Sequence, residues 1–251
     1  MSIASAIVLL FATLATAFLS GIFGMAGGLI LMGILLSLLP VAQAMVVHGI
    51  LQMIANGWRS YLLRNFIVWK ILLQYILGAV LAIIILWLVA WRPDRVLVFV
   101  LLGLVPFLVW LPRSIFHLDA TKPAHAVLAG LLVTSLNTFA GVAGPMLDVF
   151  FVRTGLSRQQ IVATKSISQV IAHVTKVVFW SGIAFAGALQ NNKDLLVLLL
   201  IAIPFSISGT WLGGLVLHRL SDKTFLRWVK ILITLIGTVY LLRAVWMLIY
   251  G

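Results

Sequence analysis

Most of this chain consists of apolar runs that are long enough to cross a membrane as helices. A helix that spans a bilayer needs about 20 predominantly apolar residues, because the hydrocarbon offers no partner to an unpaired backbone group. Only 9% of the 251 residues are charged and 63% are hydrophobic. The sequence therefore predicts an all-α polytopic membrane protein. The predicted apolar runs are residues 3–39, 41–57, 66–91, 96–112, 126–147, 195–217 and 231–250.

The basic residues lie between these runs and do not form one patch. The chain has 17 Lys and Arg against 5 acidic residues, a formal net charge of +12. Dispersed positive charge of this kind is typical of cytoplasmic loops, whereas a nucleic-acid surface would concentrate it. We expect the lipid bilayer, and no nucleic acid, as a partner, and the sequence leaves a homodimer open. Because the chain has no Cys, thiolate metal sites are excluded. We expect neither a metal nor a cofactor.

The sequence resembles itself when it is shifted by 117 residues. Gly24–Gly28 then aligns with Gly141–Pro145, and Ser20 aligns with Asn137. This alignment predicts two pseudo-symmetric transmembrane repeats, an N-terminal one over residues 1–115 and a C-terminal one over residues 121–251.

Each predicted repeat contains a glycine-rich break within an apolar run, near Gly21–Gly28 and at Gly141–Pro145. If each break turns the chain back as a re-entrant hairpin, each half has an odd number of crossings and the halves are inverted. If each break is a kink in one crossing, the halves are parallel. The hairpin topology places eleven loop Lys and Arg residues on one side and four on the other, whereas the kinked topology divides them seven to eight. The positive-inside rule therefore favours inverted repeats, with both termini on the non-cytoplasmic side.

The two repeats carry matching polar stripes within apolar surroundings. The spacing i, i+4, i+8, i+11 places the four members of each stripe on one helical face. Charged or titratable residues inside membrane spans face the protein interior or a cavity and are candidates for function. Neither stripe contains a carboxylate, so an anionic substrate is favoured over a cation. The members are His48, Gln52, Asn56 and Arg59 in the first repeat and Lys165, Gln169, His173 and Lys176 in the second.

Two of these features also have a purely structural interpretation. Gly24-x-x-x-Gly28 and Gly209-x-x-x-Gly213 match the small-xxx-small motif of tightly packed membrane helices. Alternatively, glycine breaks expose helix N-termini whose N–H groups bind an anion. Lys165 likewise could pair with Asp148 or could supply the countercharge for an anion.

The glycine breaks, the polar helices 41–63 and 157–180 that follow them, and the closing segments 94–112 and 222–250 together resemble the TauE/SafE family of sulfite exporters. The resemblance implies a secondary transporter for sulfite, sulfoacetate or another organosulfonate in the bacterial inner membrane, coupled to the proton gradient. The rival hypotheses are a passive anion channel and a non-transporting scaffold or receptor. The sequence contains no metalloprotease, P-loop or serine-hydrolase motif, so we expect no enzyme and no catalytic residue.

We expect the substrate to bind near the bilayer midplane between the repeats. Lys165 is expected to supply the countercharge, and Asp148 and His173 are candidates for carrying a coupling proton. The other predicted substrate-binding residues offer backbone N–H groups, amides, a hydroxyl or imidazoles, and they are Gly27, Gly28, His48, Gln52, Asn56, Asn137, Thr138, Gly144, Gln169 and His173.

Overall fold

The structure is a computed structural model that describes residues 3–23, 26–110, 118–184, 193–217 and 222–250. Within these ranges every regular element is helical, which confirms the predicted all-α class. Four helical segments in the described part are long and apolar enough to cross a membrane, namely Trp69–Val89, Pro123–Ala140, Leu196–Val216 and Lys230–Tyr250.

In the described part of the first half there are five α-helices, and the last of them continues into a 3-10 helix. They are α1 (Ile3–Phe23), α2 (Ala26–Leu38), α3 (Val41–Leu62), α4 (Trp69–Val89) and α5 (Arg95–Leu104), which the 3-10 helix Val105–Trp110 extends. The second half contains α6 (Pro123–Ala140), α7 (Gly144–Phe151), α8 (Arg158–Ala184), α9 (Lys193–Leu217) and α10 (Asp222–Tyr250). The polar helices predicted over 41–63 and 157–180 correspond to α3 and α8.

Residues suited to helix starts set several of these boundaries. The carboxylate of Asp94 accepts a hydrogen bond of 2.8 Å from the backbone N–H of Leu97, which caps the first turn of α5. Pro123 and Pro145 lie in the first turns of α6 and α7. Proline is tolerated there because the N–H that it lacks has no partner within the helix.

The first glycine break is a hairpin. Gly27 in α2 lies directly against the backbone of Thr16 and Ser20 in α1. In a continuous helix, residues 16 and 27 would be separated by about 16 Å along the axis. The chain therefore turns back between α1 and α2. Gly24 and Met25 lie outside the described residues.

The second glycine break also turns the chain back. Gly141 ends α6 in the left-handed region, with a φ of 83° that side chains other than glycine rarely adopt. At the other end of α7, the carbonyl of Phe150 accepts a hydrogen bond of 2.8 Å from the N–H of Ala120. Because Ala120 precedes α6, α7 must run back along α6.

The two helices after the breaks are too short to span a bilayer. With 13 and 8 residues, α2 and α7 are about 20 and 12 Å long, against a hydrocarbon core of about 30 Å. The interior of the bundle encloses α2, since Leu29, Met32, Leu35 and Leu36 are fully buried. Tyr240 donates a hydrogen bond to the carbonyl of Leu29. Both short helices are therefore re-entrant segments within the protein.

The polar helices α3 and α8 run antiparallel to each other. In the α3–α8 pair, Gly49 lies against His173 and Val177, whereas beyond the other end of α3 the N–H of Val68 donates to Thr164 Oγ1 at 3.0 Å. Among the other helices, α1 contacts α9 and α4 contacts α6, which are exchanged pairs, whereas α5 contacts α10. Inverted repeats would produce this arrangement, and the division into repeats at residues 1–115 and 121–251 stays a prediction.

Small residues mediate both exchanged contacts. Gly209 and Gly213 of α9 lie against the backbone of α1 near Ala17 and Gly21, which is the packing role expected of Gly209-x-x-x-Gly213. Gly78 and Gly130 bring α4 and α6 together in the same way. The packing interpretation therefore applies to these glycines and to Gly27.

The α1–α2 contact predicts that Gly27→Ala destabilises the protein. The added methyl group would collide with the backbone of α1, so we expect a loss of about 1–3 kcal/mol of stability, as for other overpacked sites. Gly57→Ala is the matched control, because nothing lies within 4 Å of its added methyl group. Thermal unfolding of the detergent-purified protein measures both variants, and equal melting temperatures would contradict the hairpin contact.

Candidate functional site

An enclosed cavity lies between α2, α3, α6, α7 and α8. The volume that the centre of a water molecule can occupy in it is about 20 Å³. This volume holds roughly one ordered water. The lining residues are Gly28, His48, Gln52, Val133, Asn137, Val142, Ala143, Gly144, Gln169, Ala172 and His173.

Seven of the eleven predicted substrate-binding residues line this cavity. They come from both glycine breaks and from both polar stripes, so the fold brings together segments that are more than a hundred positions apart in sequence. The seven are Gly28, His48, Gln52, Asn137, Gly144, Gln169 and His173.

The N-terminal ends of the two re-entrant helices meet at the cavity. Gly28 belongs to the first turn of α2, and Gly144 is the first residue of α7. The first N–H groups of a helix have no partner within it and carry partial positive charge. Both helices therefore direct their positive ends toward the cavity, as expected of an anion site.

The contacts of His48 define its tautomer. Its Nε2 lies 2.9 Å from the carbonyl oxygen of Gly28, and its Nδ1 lies 2.7 Å from the Nζ of Lys176. A carbonyl can only accept, so Nε2 carries the hydrogen and Nδ1 presents its lone pair. His48 is therefore a neutral imidazole that accepts a hydrogen bond from Lys176.

Lys176 is a fully buried lysine that contacts the cavity-lining His48. Its side chain has no exposed surface, and its Nζ also donates to the carbonyl of Gly141 at 2.8 Å. In the described part of the chain, no carboxylate forms an ion pair with it; the ion pair found there joins Lys165 to Asp148. Burying an ammonium group costs several kcal/mol unless opposite charge compensates it.

His173 forms the opposite wall of the cavity. Its ring centroid lies 5.6 Å from that of His48. The Asn137 amide nitrogen lies 3.3 Å from its Nδ1, so Nδ1 accepts that hydrogen bond and this imidazole is also neutral. Both cavity-lining histidines are therefore neutral, and Lys176 contacts one of them.

Lys165, the residue predicted to supply the countercharge, is not among the residues that line the cavity, and neither is Lys176. It forms an ion pair with Asp148, and both side chains are partly exposed, at 19% and 33%. The two lysines are eleven residues apart on α8, so about 16 Å of helix separates them. This ion pair matches the structural interpretation of Lys165, and its role as the countercharge of an anion stays a prediction. Asp148 is engaged in the same ion pair.

The other predicted residues outside the lining contact neighbouring helical residues. The Asn56 amide donates to the carbonyl of Gln52 at 3.0 Å, and the Thr138 hydroxyl donates to the carbonyl of Thr134 at 2.8 Å. Gly27 packs against α1. The sequence analysis did not include Lys176 among the substrate-binding residues, although this lysine follows His173 by three positions and therefore shares its helical face.

Comparison with known proteins identifies the family. The sequence matches the family described as sulfite exporter TauE/SafE over residues 9–241. Because this match covers nearly the whole chain, the chain belongs to the TauE/SafE family. No curated protein and no solved structure matches it. The family consists of membrane transporters, so this protein is a multi-pass membrane transporter and not an enzyme.

The Lys176–His48 contact predicts a non-additive pair of substitutions. His48→Leu removes an acceptor from a buried ammonium group, so we expect a loss of about 1–3 kcal/mol or more. Adding Lys176→Met to that variant should recover most of the stability, because no buried charge remains to be compensated. Thermal unfolding of the single and double variants tests the contact, and additive losses would contradict it.

Proposed function

We propose that this member of the TauE/SafE family is a proton-coupled secondary transporter for a small sulfur-containing anion. The substrate class is sulfite, sulfoacetate or another organosulfonate, and the membrane is the bacterial inner membrane. The observation that carries the proposal is the buried ammonium group of Lys176 beside a polar cavity.

The charge of Lys176 favours an anion as the ligand. Its two hydrogen-bond partners, His48 and the carbonyl of Gly141, are neutral. An anion in the cavity would supply the missing negative charge where the low dielectric strengthens the attraction. A cation there would face Lys176 and the positive ends of two helices, so the site disfavours it.

The cavity lining suits the oxygen atoms of a sulfonate or sulfite group. Such a group has three acceptor oxygens, and the amides of Gln52, Asn137 and Gln169 offer neutral donors. Backbone N–H groups near Gly28 and Gly144 add donors that need no charge. The small volume of the cavity favours a small anion, and helix movement must enlarge it for binding.

The polar stripes provide a route from the cavity to the surface. Along α3, Asn56 and Arg59 follow the cavity residue Gln52, and Arg59 donates to the carbonyl of Ser20 at 2.8 Å. Lys165 lies at the corresponding end of α8. These residues adjoin the basic loops that the positive-inside rule assigns to the cytoplasm. An anion would therefore reach the site from the cytoplasmic side past Arg59 and Lys165.

Inverted repeats would allow access from the two sides in turn. In transporters of this type, re-entrant half-helices hold the substrate near the midplane, and the repeats exchange their conformations around it. The antiparallel α3–α8 pair and the exchanged contacts of α1 with α9 and α4 with α6 support this mechanism here. The boundaries of the proposed repeats are residues 1–115 and 121–251.

A flux assay in liposomes tests the proposal. Wild-type protein should move sulfite or sulfoacetate with saturable kinetics, and Lys176→Met should abolish this flux while the protein stays folded. Lys165→Met is the matched control, because it removes a lysine from the same helix that pairs with Asp148 and not with the cavity-lining His48. We expect this control to retain most of the flux.

Other outcomes identify the rival functions. Equal flux in wild type and Lys176→Met would refute the assignment of the site. Flux without accumulation under an imposed pH gradient would identify a passive channel. Absence of saturable flux, with full tolerance of Gln52→Leu and Gln169→Leu, would identify a non-transporting scaffold.

A further inference from the structure

We propose that Lys176 is the proton-binding residue of the transport cycle and that it gains its proton together with the anion. His48 positions the lysine and stays neutral. The inference deepens the proposed function and rests on it.

The hydrogen bonds around Lys176 permit one protonation state of His48. The Nε2–H of His48 is committed to the carbonyl of Gly28, and its Nδ1 faces the Nζ of Lys176 at 2.7 Å. A second proton on His48 would direct an N–H toward the ammonium group, which offers only donors. A neutral amine could accept from a doubly protonated His48, but an amine is the more basic of the two groups, so the proton that the pair can lose resides on Lys176.

No other titratable group competes for this proton in the described structure. Among the helices around the pair, α8 contributes His173, which accepts from Asn137, and α3 contributes His48 itself. Asp148 of α7 is paired with Lys165. His125, in the first turn of α6, accepts from the N–H of Asp119. The helix α2 contains no titratable side chain.

The burial of Lys176 links its proton to the anion. Without an anion, the ammonium group is an uncompensated charge within apolar helices, and loss of a proton to water removes that charge. With an anion in the cavity, the two charges compensate each other and the proton is retained. Linkage is reciprocal, so a protonated Lys176 must also strengthen anion binding. Each cycle then carries one anion and one proton in the same direction.

The amine of Lys176 remains hydrogen-bonded in both protonation states. As an ammonium group it donates to His48 and to the carbonyl of Gly141. As a neutral amine it keeps two hydrogens for the same two acceptors. Proton release therefore leaves no buried acceptor without a partner, and Gly49 leaves room for the side chain because a Cβ there would lie 3.3 Å from the lysine Cε.

Calorimetric titration of the full-length protein with sulfoacetate and with sulfite tests the inference. Titrations in buffers of different ionisation enthalpy count the protons taken up with each anion. Sulfoacetate is suitable because its carboxylate stays ionised from about pH 6 to pH 9. For wild type we expect up to one proton per anion and a Kd that rises about tenfold per pH unit in the range where free Lys176 is deprotonated.

Three variants locate the proton. Lys176→Arg keeps its charge throughout this pH range, so it should bind the anion without proton uptake and with a constant Kd. In His48→Gln, the amide can still accept from Lys176 and donate to the carbonyl of Gly28, so this variant should retain proton uptake. Its result does not depend on whether Lys176→Arg folds. Lys165→Met should also retain proton uptake.

The failures are distinguishable. Anion binding by wild type without proton uptake at any pH would overturn the inference and leave the proposed function standing. Loss of proton uptake in His48→Gln with retained binding would place the proton on the histidine and would also overturn it. No binding of either anion by wild type at any pH would overturn the proposed function together with the inference.

Discussion

The burial of one ammonium group governs the arrangement of this site. Lys176 lies among membrane helices with no exposed surface, and its hydrogen-bond partners are neutral. Two contacts of the lysine reduce the free energy that is needed to bury its charge. His48 presents a lone pair because the carbonyl of Gly28 fixes its tautomer. The carbonyl of Gly141 is available because the left-handed turn there ends α6. These contacts occupy two of the three N–H donors of the ammonium group and leave its charge uncompensated, which is the reason to expect an anion.

The glycine breaks and the polar stripes depend on each other. Without the hairpins, α2 and α7 would not bring Gly28 and Gly144 to the level of His48 and Gln169. The turn at Gly141 also exposes the carbonyl that Lys176 contacts.

The shift of 117 residues also relates the ends of the two polar stripes, since it maps His48 onto Lys165 and Arg59 onto Lys176. The contact equivalent to His48–Lys176 would join two cations, Lys165 and Arg59. Like charges repel at such a distance, and Lys165 pairs with Asp148 instead.

The sequence predicted the helical membrane class, the short segments around the glycine breaks and most of the cavity lining. These succeeded because apolar runs, glycine positions and helical spacing are local patterns with direct physical meaning. The sequence left two partners open for Lys165, because partner choice depends on tertiary contacts, and the structure pairs it with Asp148. Both lysines lie on one face of α8, and only the antiparallel packing of α3 decides which of them meets His48. The spacing of Thr138 and Asn56 could not show what their side chains contact either, because intrahelical carbonyls compete for them.

The most direct test of the account is to locate a bound anion. Crystals soaked with selenite, the selenium analogue of sulfite, would reveal the anion through the anomalous signal of selenium. The account predicts a peak between His48 and His173, within hydrogen-bond distance of the amides of Gln52, Asn137 and Gln169. A peak only beside Arg59 and Lys165, or no peak at a selenite concentration that saturates binding in solution, would contradict it.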